Sequence, residues 1–507
     1  MNVNIYENIE RLLLYGLKKE LISQWDLDYS RNQILHVLRL DDRQAAPSIR
    51  EVPETPIEIL AEMTKWALEK DVIEKDDITY HDRFDTKIMG CIAPRPSEVI
   101  SHFYTLYQKV SPMAATRFYY KFSKDIHYVR TDRISQNKKW DVHTEYGTLE
   151  VTINLPKPEK GSSPIVVDKQ LTGNHYPTCL LCKENVGFAG KANHPARQNL
   201  RIIPLRLSGE QWYLQFSPYI YYNEHVVVFS EEHQPMNISR KTFVRLLEFV
   251  EKFPHYFLGS NADLPIVGGS ILSHDHYQGG NYDFPMAKAS SEYSFDLRKY
   301  PDLKAEIIKW PMSVIRLRGK HRAQLVEAAD DILTGWKQYE DPEAEIYAYT
   351  GDSPHNTITP IARRKGELFE LDLVLRNNRT TNEHPEGLFH VPAEFHSIKK
   401  ENIGLIEAMG LAVLPGRLSL ELDALAEVLP SELAEIHIRE NESIAKHLHW
   451  ALKIKEKHPQ LSKDNVSVIL EEEVGEVFIS ILESAGVFKR HEKGRAAFRR
   501  FIDSIQS

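Results

Sequence analysis

Apolar residues near the start of the chain, Ile9, Leu12, Leu13, Leu17 and Leu21, recur at helical spacing, so the first segment is predicted to be an amphipathic helix. Thr55-Pro56-Ile57-Glu58 reads as a capping box with proline at the first helical position. Ile59, Leu60, Met63 and Trp66 give the helix that follows its apolar face. At Leu149, Val151 and Ile153 the period changes to two, which predicts a strand. The run from Pro156 to Pro164 is rich in chain breakers and marks a boundary.

Beyond it, Trp212 to Phe216 and Val226 to Phe229 read as short strands. Ser239 is placed to cap a helix whose apolar face is Phe243, Leu246, Leu247 and Val250. Ile266-Val267-Gly268-Gly269-Ser270 reads as a glycine-punctuated strand leading into His274. Leu368 to Leu375 and Phe389 to Phe395 are predicted strands. Ile403 to Leu414 is a predicted helix, stopped by Pro415-Gly416. From about residue 430 the chain is charged and helical.

The expected architecture is α+β, in four stretches: a mainly helical region over 1–155, an α+β segment over 165–300, a second over 305–425, and a helical end over 430–507. No short-period repeat occurs, but two α+β halves of similar size are compatible with a duplicated module.

Composition narrows the function. With 507 residues, 42% of them hydrophobic, the chain can bury a large core. A net charge of -9 without a basic stripe argues against a dedicated nucleic-acid binder. Three cysteines, Cys91, Cys179 and Cys182, are too few for a disulfide scaffold, so a reducing cytoplasm is the expected compartment. The N-terminal residues lack the basic and apolar regions of a secretory leader. No run of about 18 apolar residues suggests a membrane span.

The chemistry concentrates in three places. In Ser273-His274-Asp275-His276-Tyr277-Gln278-Gly279-Gly280, residues 274, 276 and 278 fall at period two, so on a strand two imidazoles and an amide would share one face. Flanking glycines would let backbone N–H groups approach a phosphate. Taken alone, a His-x-His pair also fits structural or metal-binding histidines, although an amide is a poor zinc ligand. Cys179-Leu180-Leu181-Cys182 fits a metal knuckle or a redox pair; a zinc site would need two further ligands. His233 directly follows the predicted strand Val226–Phe229 and, alone, fits an ordinary surface residue.

Taken together, Cys-x-x-Cys, then strand and histidine, then His-x-His-x-Gln, resemble the galactose-1-phosphate uridylyltransferases of the histidine-triad superfamily. The segment from Phe395 to Pro415, Ser217-Pro218-Tyr219 and Tyr222-Asn223-Glu224-His225 look like the class II, Gram-positive bacterial type. The resemblance implies two histidine-triad-like halves with antiparallel sheets, the first catalytic. It implies a nucleophile at His276, a phosphoryl contact at Gln278, and a structural zinc on Cys179, Cys182, His233 and His274. Asn261, Gly269 and Ser270 are approximate counterparts of substrate-binding residues. The implied reaction moves uridylyl from UDP-glucose to galactose 1-phosphate through a uridylyl-histidine, in ping-pong fashion. Class I members have proline where this chain has Asp275, and related nucleotide hydrolases have a third histidine where it has Gln278.

UDP-glucose and galactose 1-phosphate are the implied partners, with neither nucleic acid nor membrane. A homodimer is compatible with this reading. Two other readings stay open on these residues. One is a related nucleotidyltransferase, such as a dinucleotide phosphorylase; the other is a zinc-stabilised nucleotide-binding protein without enzymatic activity.

Overall fold

The structure, a computed structural model, describes residues 3–44, 51–155, 176–191 and 193–506, and the predicted boundary from Pro156 to Pro164 lies outside them. Two compact units are present, one drawn from Met1–Asp132, Gly173–Ile220 and Glu224–His233, the other from Arg133–Thr172, Tyr221–Asn223 and Gln234–Ser507.

The first unit is helical with one strand meander. Its helices include Ile5–Lys18, Ile57–Glu69, Ile78–Gly90, Pro96–Lys109 and Pro112–Asp125. Ile9, Leu12 and Leu13 are buried, as the periodicity requires, while Leu21 is buried just past the helix end. The capping box at Thr55 is not formed. Pro56 takes the N-cap position, because its carbonyl already accepts from the Leu60 N–H at 2.9 Å. The meander runs Ile203–Leu207, Glu210–Phe216 and Val226–Ser230, antiparallel throughout, with Trp212 opposite both Leu205 and Ser230. Ser208 and Gly209 make its first turn with φ of 52° and 76°, the pair of left-handed conformations a two-residue hairpin needs. The Tyr119 hydroxyl, from Pro112–Asp125, donates to the carbonyls of Arg201 and Leu214 and ties helix to meander.

The second unit is built on an antiparallel sheet in the order His276–Gly280, Phe257–Gly259, Asn356–Lys365, Leu368–Asn377, Val314–Gly319, Lys304–Ile308, Ser291–Phe295. Helices Arg240–Lys252 and Arg322–Gln338 pack on it. Phe243, Leu246, Leu247 and Val250 are fully buried, so the predicted apolar face of the first helix holds; the Ser239 N–H donates to Thr242 Oγ1 at 3.2 Å at its start. Directly paired residues on neighbouring strands share a face. Gln278 pairs with Gly259, Gly259 with Ile361, Ile361 with Asp372 and Asp372 with Arg316. One face of the sheet therefore carries Gln278 at one side and a buried ionic layer at the other. In that layer Arg316 grips both oxygens of Asp372, at 2.6 and 2.9 Å. Burial alone would raise the Asp372 carboxyl, but the flanking Arg316 and Arg363 hold it below the usual carboxylate range.

A smaller sheet and the helical C-terminus complete this unit. Lys138–Thr144 and Gly147–Asn154 form a hairpin, which supplies the strand predicted at Leu149, Val151 and Ile153, and all three are buried. Leu411–Pro415 adds to it in parallel. Helices Arg417–Val428, Ala434–Glu440, Leu448–Lys457, Val466–Ala485 and Glu492–Gln506 follow. Leu411, Leu414, Leu418, Leu425, Phe478 and Leu482 share one core cluster with Trp310 and Met312.

The mixed α+β class with antiparallel sheets and a helical end is thus as expected, but three local expectations are corrected. Ile403 to Leu414 is not one helix. It is a short helix, Leu405–Ala408, then a strand, Leu411–Pro415, paired along Glu150–Asn154. Gly410 separates them at φ +101°, where a side chain would press on Pro285 and Trp310. Phe389 to Phe395 is a loop ending in the single 3₁₀ turn Ala393–Phe395, because Pro392 has no N–H to offer a ladder. Ile266 to Ser270 is a turn rather than a strand, with Ile266 at φ +73°. That is a strained value for a β-branched residue.

Candidate functional site

The two cysteines and His233 come together within the first unit. Cys179 Sγ lies 3.5 Å from Cys182 Sγ, and Cys182 Sγ lies 3.3 Å from His233 Nδ1. The cysteines are not joined by a disulfide. The Leu181 N–H points at Cys179 Sγ at 3.3 Å. Asn185 Nδ2 donates to the carbonyls of both Cys179 and Cys182, each at 2.8 Å, and so sets the shape of the knuckle. Asn185 Oδ1 is in turn engaged by His194 Nε2 at 2.6 Å.

Cys179, Cys182, His233 and His274 are a group that could hold a metal ion, their candidate ligand atoms all within 4.8 Å of one another. The donor set and spacing fit zinc. Tetrahedral bonds of about 2.3 Å to sulfur and 2.0 Å to nitrogen put neighbouring ligand atoms about 3.5 Å apart. A backbone bond, Asp275 N–H to the Gln234 carbonyl at 2.7 Å, lays the residue after His274 beside the residue after His233.

The strand begins at His276, two residues later than a strand spanning all three positions would require, and His274 sits in the bend before it. Alternation then separates the side chains. Asp275 and Tyr277 both meet Arg245 of helix Arg240–Lys252, so Asp275 points away from the face that His276 shares with Gln278. The His276 ring is buried, and its Nδ1 lies 2.8 Å from the His274 carbonyl. A carbonyl can only accept, so Nδ1 carries the proton and the lone pair is on Nε2. Burial, against the bond to His274, lowers the imidazole to about 4 and keeps it neutral and nucleophilic at physiological pH. Gln278, the next residue on that face, is partly exposed.

Asn261 and Gly269 are brought together. Asn261 is buried and its Oδ1 accepts the Leu405 N–H at 2.9 Å. A side chain at Gly269 would stand 2.8 Å from Asn261 Nδ2, so only glycine allows this approach. Ser270 is exposed. The stretch that binds Asn261 belongs to the Phe395–Pro415 segment. Arg376, buried on the sheet, donates to the Ile403 carbonyl at 2.9 Å. Lys399 Nζ and the Gly404 N–H both reach Glu407, at 3.2 Å. Sequence reasoning missed Asn185, His194, Arg245 and Arg376. The one local signal was Asp275 itself, a carboxylate directly before the strand that, once buried, needed a cation.

Comparison with known proteins gives the family. The chain matches the family described as "Galactose-1-phosphate uridyl transferase, N-terminal domain" over residues 20–235, and the corresponding C-terminal domain over residues 248–442. A galactose-1-phosphate uridylyltransferase of Halalkalibacterium halodurans is 58% identical over 497 residues, 98% of each chain. One of Bacillus subtilis is 54% identical over 505 residues, 99% of this chain and 98% of that one. Among solved structures, yeast Ap4A phosphorylase Apa2 is similar at a TM-score of 0.33 and 12% identity, over 64% of this chain and 89% of that one. The chain belongs to the galactose-1-phosphate uridyl transferase family.

Proposed function

We propose that the protein transfers a uridylyl group from UDP-glucose to galactose 1-phosphate, through a covalent adduct on His276. One observation carries the assignment of the nucleophile: the Nδ1 proton of a buried imidazole is fixed on the His274 carbonyl, on the strand face it shares with Gln278. The Nε2 lone pair attacks the α-phosphorus. The bond from that phosphorus to the bridging oxygen breaks, and glucose 1-phosphate leaves with the electron pair. A phosphate oxygen of galactose 1-phosphate then attacks the same phosphorus. The P–N bond breaks, its electrons return to Nε2, and UDP-galactose departs.

Gln278 donates its amide hydrogen to a phosphoryl oxygen as negative charge builds. One such placed donor contributes about 3 kcal/mol to the transition state. An amide cannot act as a general acid or base, which suits passing the nucleotide to a sugar phosphate. Asn261, Gly269 and Ser270 would contact substrate. Zinc fits Cys179, Cys182, His233 and His274, where it would be structural: four protein ligands close its shell and leave no position for substrate.

Residues 165–300 and 305–425 are read as two related halves, the first catalytic; the matched pairing of Gly259 with Ile361 supports this. No helix of the described residues is long and apolar enough to cross a membrane. Free cysteines fit a reducing compartment, which supports a cytoplasmic location, and the acidic charge fits a partner list without nucleic acid.

Incubation with UDP-glucose, followed by intact mass and peptide mapping, tests the reading. A uridylyl adduct on the peptide containing His276, discharged by galactose 1-phosphate, is expected. An adduct on another residue, or none, overturns it.

A further inference from the structure

Helix Arg240–Lys252 packs on the side of the sheet away from the face His276 shares with Gln278, and one of its arginines reaches the strand. Arg245 Nη1 donates to Asp275 Oδ2 and to Tyr277 Oη, each at 3.2 Å. All three residues are buried, at 5%, 5% and 1% exposure. Asp275 and Tyr277 are the neighbours of His276 on either side. One nitrogen therefore holds the residues before and after the imidazole.

We propose that Arg245 is a positioning residue, which fixes the direction of the His276 ring by gripping both flanking side chains from the opposite face. The inference rests on the reading of His276 as nucleophile. Strand geometry supplies the mechanism: with 275 and 277 pinned to the far face, 276 can point only to the near one. The Asp275 backbone is pinned as well, through its N–H to the Gln234 carbonyl. Its side-chain and backbone anchors together keep the bend at His274 in place, and with it the carbonyl that holds the Nδ1 proton. Arginine suits the task because its guanidinium stays charged when buried and offers several donors in a rigid plane.

A purely structural ion pair would stabilise the fold without touching the chemical step, so the two roles separate experimentally. Losing Arg245 alone strands the Asp275 charge, and that protein can fail to fold. The test therefore uses the uncharged double variant R245M/D275L, with R245K and Y277F as milder changes and H276A as the control. For each, the single-turnover rate of uridylyl-enzyme formation is measured per folded site, with the KM for UDP-glucose and the thermal midpoint.

The double variant is expected to melt near the parent and to uridylylate about 100-fold more slowly, with KM within about threefold. R245K and Y277F are each expected to slow the same step about 10-fold at unchanged KM and midpoint. A folded double variant reacting within about threefold of the parent overturns the proposal; should that variant not fold, parent-like rates in both R245K and Y277F overturn it equally. If H276A itself transfers uridylyl, the reading of the nucleophile falls, whatever the Arg245 variants do.

Discussion

Gln278 and Asp372 occupy matching places in the sheet: Gln278 lies opposite Gly259, Asp372 lies opposite Ile361, and Gly259 and Ile361 lie opposite each other. The step from Gln278 back to His276 corresponds, under the two-fold that exchanges Gly259 and Ile361, to the step from Asp372 back to Glu370. The second place thus holds a carboxylate where the first holds an imidazole. Glu370 and Asp372 are both locked, by Arg318 and Arg363 on the one and by Arg316 and Arg363 on the other. One uridylyl group per chain is therefore expected, even under excess UDP-glucose, and intact mass will count it. A second group retained under those conditions would mean that another nucleophile exists.

Replacing His276 by alanine is expected to lower transfer by at least about 10⁴-fold, since among the described residues on that strand face Gln278, an amide, offers no activated lone pair in its place. Gln278→Ala should cost about 10²- to 10³-fold in kcat with a smaller effect on KM, because its bond strengthens as charge develops. Steady-state kinetics with both substrates will separate the two patterns.

Metal should track the knuckle. Cys182→Ser and His274→Ala are each expected to purify with little zinc and to melt lower than the parent. His276→Ala, two residues from a ligand but not one itself, should keep about one zinc per chain. Elemental analysis beside thermal unfolding checks this, and full zinc retention in Cys182→Ser would remove that residue from the ligand set.

Stability should depend on acid through Glu421. Burial would raise this carboxyl, but hydrogen bonds from His447 and Lys446, with Arg417 alongside, pull it down to about 2. A carboxyl depressed on folding stabilises above its unfolded pKa and loses that contribution as the pH falls toward the folded one. Glu421→Gln is therefore expected to destabilise by about 2 kcal/mol at pH 7, after allowance for solvent around its partners. The difference should shrink as the pH drops from about 4.5 toward 2. Denaturant titrations at several pH values measure it, and a gap that stayed constant would exclude Glu421 as its source.

What could be read from the sequence was what is local. His276, Gln278, the Cys179–Cys182 knuckle and the helix face from Phe243 to Val250 all lie in short spans whose spacing carries their meaning. The misread stretches were decided elsewhere in the chain. Leu411 to Leu414 is as apolar as a helix face, and only the exposed edge at Glu150–Asn154 makes it a strand. Ile266 to Ser270 turns because Gly268 and Gly269 sit against Ala262 and Asn261. The grip of Arg245 on Asp275 spans thirty residues, and no spacing rule links a helix residue to a strand that far away.

The bond between His276 Nδ1 and a carbonyl has one more consequence, for the fate of the intermediate. Once Nε2 carries phosphorus, the ring must either keep its other proton and stay cationic or lose it and become neutral. A backbone oxygen cannot take that proton away, and burial gives water no access to it. On the reading of His276 as nucleophile, the adduct is held as an imidazolium, a far better leaving group than an anionic ring, and stays poised for the sugar phosphate instead of relaxing into a neutral, less reactive phosphoramidate.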